Sequence, residues 1–455
     1  MNESDELGTS SIPALIWKFS LPSIVGMLVS ALYNVVDRIF IGQGVGPLGI
    51  AGATVAFPLM MIQIALSTLI GIGATTLISI NLGRGDRETA ERVLGNGFTL
   101  ILVVVASVSV LGLAFLDPLL RLFGASEAVL PFARDYTSVV LAGTIFQVLA
   151  LGVNNFIRGE GNPKRAMGSM LIGAVLNAIF CPIFLFAFHW GMKGAGLATV
   201  LSQAVSAVWV MSYYLSGRSD LKLRAANLRP RKEIVPSILA IGSAPFAVNL
   251  GASLVNGIMN NQLQRYGGDL AVSSMGIVFA LSSLFVFIAF GINGGVQPII
   301  GYNYGARRLD RVRKTALFAI SAATAAFTLG FALVELFPRP LVVLFAGKST
   351  ELADMSAVAL RRVLLCMPLI GFQIVAAGYF QAVGKPKHSM LLSLTRSVLF
   401  LIPLYYVMPA LAGLTGLWFA PPAADFLAAS VTAVFFSREM RALGRSPRSP
   451  VGAAG

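Results

Sequence analysis

Charge is scarce in this sequence: only 12% of its 455 residues are Asp, Glu, Lys or Arg, while 56% are hydrophobic. A soluble domain usually carries about 25% charged residues, and the mean hydropathy of +0.79 excludes a water-soluble globule. Cysteine is nearly absent. Cys181 and Cys366 both fall inside apolar stretches with no CxxC and no metal-like spacing, so neither a disulfide framework nor a metal site is supported. The two histidines, His189 and His388, stand at the ends of apolar stretches and read as interfacial polar groups rather than ligands. No GxxxxGK[ST] loop occurs, which argues against ATP-driven transport by this chain alone. No nucleophile or metal constellation suggests an enzyme, and no cofactor is expected.

What the sequence has is long apolar runs. A bilayer crossing needs about 20 apolar residues, and twelve such segments are predicted at approximately 12–41, 48–81, 92–116, 131–158, 164–188, 191–215, 235–265, 270–303, 312–337, 353–383, 387–410 and 412–436. The first run is longer than the apolar region of a secretory signal, so it is expected to stay on. Sustained apolar length without alternation makes these helices, not barrel strands. An all-α integral membrane protein is expected.

The net charge of +14 does not point to nucleic acid, because the basic residues stand in short clusters between apolar runs, where they set topology. "GRGDRETAER", "RGEGNPKR", "SGRSDLKLRAANLRPRK", "GARRLDRVRK", "GKPK" and the tail "SREMRALGRSPR" alternate with nearly uncharged connections such as "GQGVGPLG". Both termini are then expected in the cytoplasm of a multi-pass protein of the cell (inner) membrane.

The two halves repeat at a spacing of about 222 residues. Asn81 and Gly83 meet Asn303 and Gly305, Pro22 meets Pro245, and Pro163 in "IRGEGNPK" meets Pro386 in "FQAVGKPK". Six helices repeated in one orientation imply two lobes related by a pseudo-two-fold along the membrane normal. The expected organisation is an N-terminal lobe at 1–215, a basic cytoplasmic linker at 216–234, a C-terminal lobe at 235–437 and a tail at 438–455.

"YNVVDRIFIG", "NLGRGD", "RGEGNPK", "GAGLAT" and "FQAVGKPK" together make the chain resemble the MATE (multidrug and toxic compound extrusion) transporters, nearer the DinF/MepA-like branch. The resemblance implies a secondary antiporter in which protons or sodium ions entering the cell drive export of amphipathic, often cationic, compounds, by rocking of the two lobes. It implies a bend of the first helix at Pro22, and an ion-coupling cavity in the N-terminal lobe formed by Asp37, Tyr33, Asn177 and Thr199. Relatives usually read "LNxxxDP" where this sequence reads "LNAIFCP", so Cys181 stands in place of a second acid. A neutral thiol supplies neither the fixed charge nor a hard oxygen for sodium, which leaves Asp37 as the main candidate and tilts the reading toward protons. The partners implied are small amphipathic cations and membrane lipid, and the chain is expected to be a monomer.

An ionised carboxylate in a helix centre costs about 2.5–3.5 kcal/mol on insertion scales, so such residues face a bundle interior or a water-filled cavity. For Asp37 the alternative is a structural ion pair with Arg38 or another internal cation. By the Pro22 register its counterpart in the second half is Asn260, which has the shape without the charge. Asp425, after two prolines, either lines a cavity or bonds nearby donors. Glu335 is expected at an interface near Arg339. Gln147 and Gln373 occupy matching positions that would meet substrate or tie helices together. An alternative function, export or flipping of a lipid-linked or metabolite substrate, would favour a strongly cationic cleft, and few basic residues beyond Arg396 lie mid-helix.

Overall fold

The computed structural model describes residues 3–123, 125–346 and 350–445. The secondary structure there is helical, as a chain surrounded by hydrocarbon requires: every backbone N–H and C=O must find its partner within the segment. The membrane helices are α1 (Ile12–Gly44), α2 (Pro47–Gly83), α3 (Arg87–Ala114), α4 (Leu130–Ala142 and Thr144–Glu160), α5 (Pro163–Pro182, continued by a π-helical turn Ile183–Ala187) and α6 (Gly191–Leu215). The second set is α7 (Val235–Gly268), α8 (Leu270–Gly305), α9 (Leu309–Leu336), α10 (Thr350–Val363 and Met367–Ala382), α11 (386–411) and α12 (414–445).

Nine helices among the described residues are long and apolar enough to cross a bilayer, and the two halves of α4 and of α10, bent by 55° and 52°, form two more spans. One of the nine runs 58 residues, Pro386–Leu443. At 1.5 Å per residue it would be about 87 Å long, nearly three hydrocarbon thicknesses. The left-handed Gly413 (φ +58°) breaks it into α11 and α12, and the count of twelve follows.

The repeat is written into the backbone as well as the sequence. Left-handed residues recur at the same spacing: Gly46 with Gly268, Gly85 with Arg307, Gly161 with Gly384, and Gly191 with Gly413. These positions end one helix and start the next, so the "GNPK" and "GKPK" motifs are helix punctuation. Gly161 and Gly384 take the left-handed turn, and Pro163 and Pro386 open the following helix where a missing N–H costs nothing. Asn81 and Asn303 each donate from Nδ2 to the carbonyl one turn back, Leu77 and Ile299, both at 2.8 Å.

By compactness the chain divides into two units: residues 1–10 with 21–246, and residues 11–20 with 247–455. α1 therefore passes between units one residue before Pro22, and α7 does so one residue after Pro245. Within unit 2 the Ser20 hydroxyl reaches the Ile292 carbonyl at 3.5 Å, and a Cβ on Gly295 would lie 2.6 Å from the Ser20 nitrogen. Unit 1 has the matching contact, in which Cβ atoms at Gly73 and Gly242 would strike the carbonyls of Ile238 and Leu69. Only glycine lets these backbones approach so closely. Pro22 itself lies inside a continuous helical run.

The linker is held along α3 in unit 1. Asn96 donates from Nδ2 to the Asn227 carbonyl (3.1 Å) and accepts at Oδ1 from the Arg231 backbone N–H (2.6 Å). Thr99 donates to the Leu228 carbonyl, and Glu91 accepts from the Lys222 N–H and pairs with Arg224.

Candidate functional site

α1 brings Asp37 into the interior of unit 1, where it is 7% exposed. The fully buried Cys181 of α5 lies beside it, close enough for the thiol and the carboxylate to interact. Asn177 lies one turn earlier on the same face of α5. Its Nδ2 donates to Thr199 Oγ1 of α6 at 3.3 Å, and the Thr199 hydroxyl in turn donates to the Ala195 carbonyl at 3.2 Å. Asn177 Oδ1 is buried with no hydrogen-bond partner. Asp37, Cys181, Asn177 and Thr199 thus form one buried polar layer contributed by three helices. The side chains of Tyr33 and Arg38 lie outside the described residues.

An apolar floor borders the layer. Ile41, one turn beyond Asp37, packs with Ala56, Tyr136, Val140, Leu185, Met192, Ala195 and Ala198. Cys181 is the last residue but one of the α-helical part of α5: Pro182 has no N–H to offer, and the chain continues as the π turn Ile183–Ala187. A carboxylate, a thiol and an amide oxygen with spare acceptor capacity, walled by hydrocarbon, suit the holding of one small cation or proton. One carboxylate does not make a strong sodium cage, which favours several hard oxygens.

Among the described residues the second half shows no such layer around the counterpart of Asp37, and its register differs from the sequence alignment. Asn260 is exposed, whereas Met259, one residue earlier, is buried. Counted back from the left-handed glycines Gly46 and Gly268, Asp37 aligns with Met259, and Ile41 with the fully buried Leu263. One residue on a helix turns the side chain by about 100°, so the slip between the Pro22 and Gly46 registers decides which residue faces inward. Met259 belongs to the apolar core of unit 2.

Other sequence expectations fare variously. Asp425 is 1% exposed and paired with Arg396, whose Nε donates to Asp425 Oδ1. Glu335 pairs with Arg361 at 3.5 Å, and Arg339 turns instead to Asp354 at 3.0 Å; the helix break after α9 carries Arg339 away from its sequence neighbour. Gln147 is buried. Gln373 is buried too, but neither atom of its amide has a hydrogen-bond partner, so it does not tie helices together by hydrogen bonds. Glu160, the acid inside "RGEGNPK", is not among the residues singled out by the sequence. It is 1% exposed, and its Oε2 accepts from Ser219 Oγ (2.6 Å) and Tyr213 OH (3.1 Å). The signal was there: an acid closing an apolar helix.

Comparison with known proteins gives the family. The MatE family profile matches the chain twice, over residues 22–183 and 246–407, once for each half of the repeat. The multidrug export protein MepA of Staphylococcus aureus is 28% identical over 409 residues, covering 88% of this chain and 87% of its own. Among solved structures, the MATE multidrug transporter DinF-BH in complex with rhodamine 6G is 39% identical with a TM-score of 0.89, covering 96% of this chain and 98% of that one. An outward-facing multidrug resistance MATE transporter of the MOP superfamily superposes with a TM-score of 0.91 at 26% identity, covering 97% and 98%.

Proposed function

Because this chain belongs to the MatE family, a family of multi-pass membrane transporters, we propose that it exports amphipathic cations in exchange for protons, by alternating access of its two six-helix halves. The observation that carries the reading is Asp37, a carboxylate buried in α1 among Cys181, Asn177 and Thr199. Burial disfavours the charged form of an acid, and opening the site to water on one side restores it. A proton gained on one face and lost on the other then couples the ion gradient to the two conformations. Sodium coupling is the competing form. It would need more hard oxygens than one carboxylate and an amide supply, and Cys181 adds none.

Substrate class is inferred from relatives: one is named a multidrug exporter and another is solved with rhodamine 6G. Pro22, beside the point where α1 changes units, is proposed as the bend that couples site to motion. The basic connections support a cytoplasmic position for both termini.

The test is efflux of rhodamine 6G from proteoliposomes with pH and sodium gradients imposed separately, comparing wild type with Asp37→Asn at equal reconstitution. A pH gradient should drive wild-type efflux, and the variant should fall to the level of empty liposomes. Full efflux by Asp37→Asn would rule out the coupling role, and sodium-driven efflux at zero pH difference would reassign the ion.

A further inference from the structure

Unit 2 holds a charge pair that the coupling reading leaves unused. Arg396 and Asp425 each lie about ten residues into their helices, roughly 15 Å from the helix start and so near the middle of a span. Arg396 sits in the π-helical stretch Thr395–Leu401 of α11, and Asp425 follows Pro421 and Pro422 on α12. Asp425 is 1% exposed and accepts from Arg396 Nε, while the Arg396 side chain remains 35% exposed. Asp425 Oδ2 is buried without a hydrogen-bond partner. Tyr405 is close enough to both charges to interact with them, and Cys366 is close to Asp425.

Holding two helices together does not require this pair. A buried ion pair is weak support for stability and is often replaceable by well-packed apolar side chains. The first half of the same molecule demonstrates it: by the left-handed registers the counterparts of Arg396 and Asp425 are Gly173 and Gln203. There α5 meets α6 with no charge, a Cβ on Gly173 lying 2.8 Å from Ser206 Oγ and 4.0 Å from Gln203 Nε2. The charge pair is an addition to one half of a repeat.

The guanidinium is engaged through Nε, and its two Nη groups make no hydrogen bond among the described residues. Turned toward lipid at mid-span, those donors would be unsatisfied at a cost of several kcal/mol, which argues for a polar space at the open edge. A guanidinium fixed from behind by a buried carboxylate, with two parallel N–H donors in front, fits a carboxylate bidentately. We propose that Arg396, positioned by Asp425, is a recognition point for a substrate carboxylate, so that the exporter takes zwitterionic amphiphiles as well as cations. This rests on the multidrug-export reading above and specifies its substrate class.

Rhodamine 6G and its free acid form the test pair, since they share one xanthene dye and differ by an ethyl ester against a carboxylate. Binding to purified protein is followed by fluorescence anisotropy for wild type, Arg396→Lys, Arg396→Gln and the double variant Arg396→Gln/Asp425→Asn. The double variant leaves no lone buried charge and guards against misfolding. Wild type should bind both dyes. The ratio of acid to ester affinity should fall about tenfold in Arg396→Gln and in the double variant, and less in Arg396→Lys, which keeps charge without the fork. An unchanged ratio in the double variant, or wild type that binds the ester but not the acid, overturns the proposal and leaves multidrug export standing. Wild type that binds neither dye overturns both.

Discussion

Replacing Asn96 with alanine tests whether the linker is a docked element or a loose tether. Asn96 is fully buried on α3 and makes two bonds to the linker, from Nδ2 to the Asn227 carbonyl at 3.1 Å and to Oδ1 from the Arg231 N–H at 2.6 Å. Each such bond contributes about 1 kcal/mol net, and a buried group left unpaired adds about 1 kcal/mol or more. The docked linker should therefore lose about 2–3 kcal/mol relative to the undocked one, whose groups find water. At 1.4 kcal/mol per tenfold, the undocked population rises roughly 30- to 150-fold. Trypsin reads that population, because Arg224, Arg231 and Lys232 lie in the linker and cleavage follows the open fraction when reclosing is fast. Asn96→Ala should be cut between the halves at a rate raised by that factor, while α1–α6 remain protected as one fragment. Equal cleavage rates in wild type and variant, under conditions where cleavage is slower than reclosing, would refute the docking argument. The close approach of Gly95 to the Asn227 carbonyl makes Gly95→Ala an independent variant with the same expected direction.

Asp86 caps α3 by accepting from the Thr89 N–H at 2.9 Å, and that hydrogen bond holds its carboxyl below the usual aspartate range. Asp86→Ala should cost about 1 kcal/mol in thermal or denaturant unfolding. Because the folded pKa is the depressed one, the difference from wild type is complete above the ordinary aspartate value near 3.8 and disappears as pH falls through the folded pKa; a difference persisting below both values would exclude the carboxylate as its source. Cys181→Asp places a second acid beside Asp37, and two adjacent carboxylates titrate as a pair that holds one proton more tightly. The pH dependence of efflux should move upward and sodium should begin to stimulate transport; unchanged pH and sodium responses would remove the α5 position from the ion site.

Much of the fold was legible along the chain because lipid solubility is a local property. A run of apolar residues crosses the bilayer whatever its neighbours do, and glycines and prolines that punctuate helices keep their identity across a repeat. Asp37 stood out for the same reason: a carboxylate amid hydrocarbon is costly wherever it lies. Asn177 and Thr199 came through resemblance to a family, and the structure sets them against each other and against the Cys181–Asp37 contact.

The sequence by itself thus determined the spans, their repetition and the acid worth watching. Tertiary structure alone decided that Asp425 answers Arg396, that Glu335 answers Arg361 and not Arg339, that Met259 and not Asn260 fills the place of Asp37, and that the linker lies on Asn96. Each of these depends on how one helix is rotated and shifted against another. A single residue of slip turns a side chain by about 100°, and hydropathy, which counts how much apolar surface a segment has, carries no record of the angle at which that segment meets its neighbour.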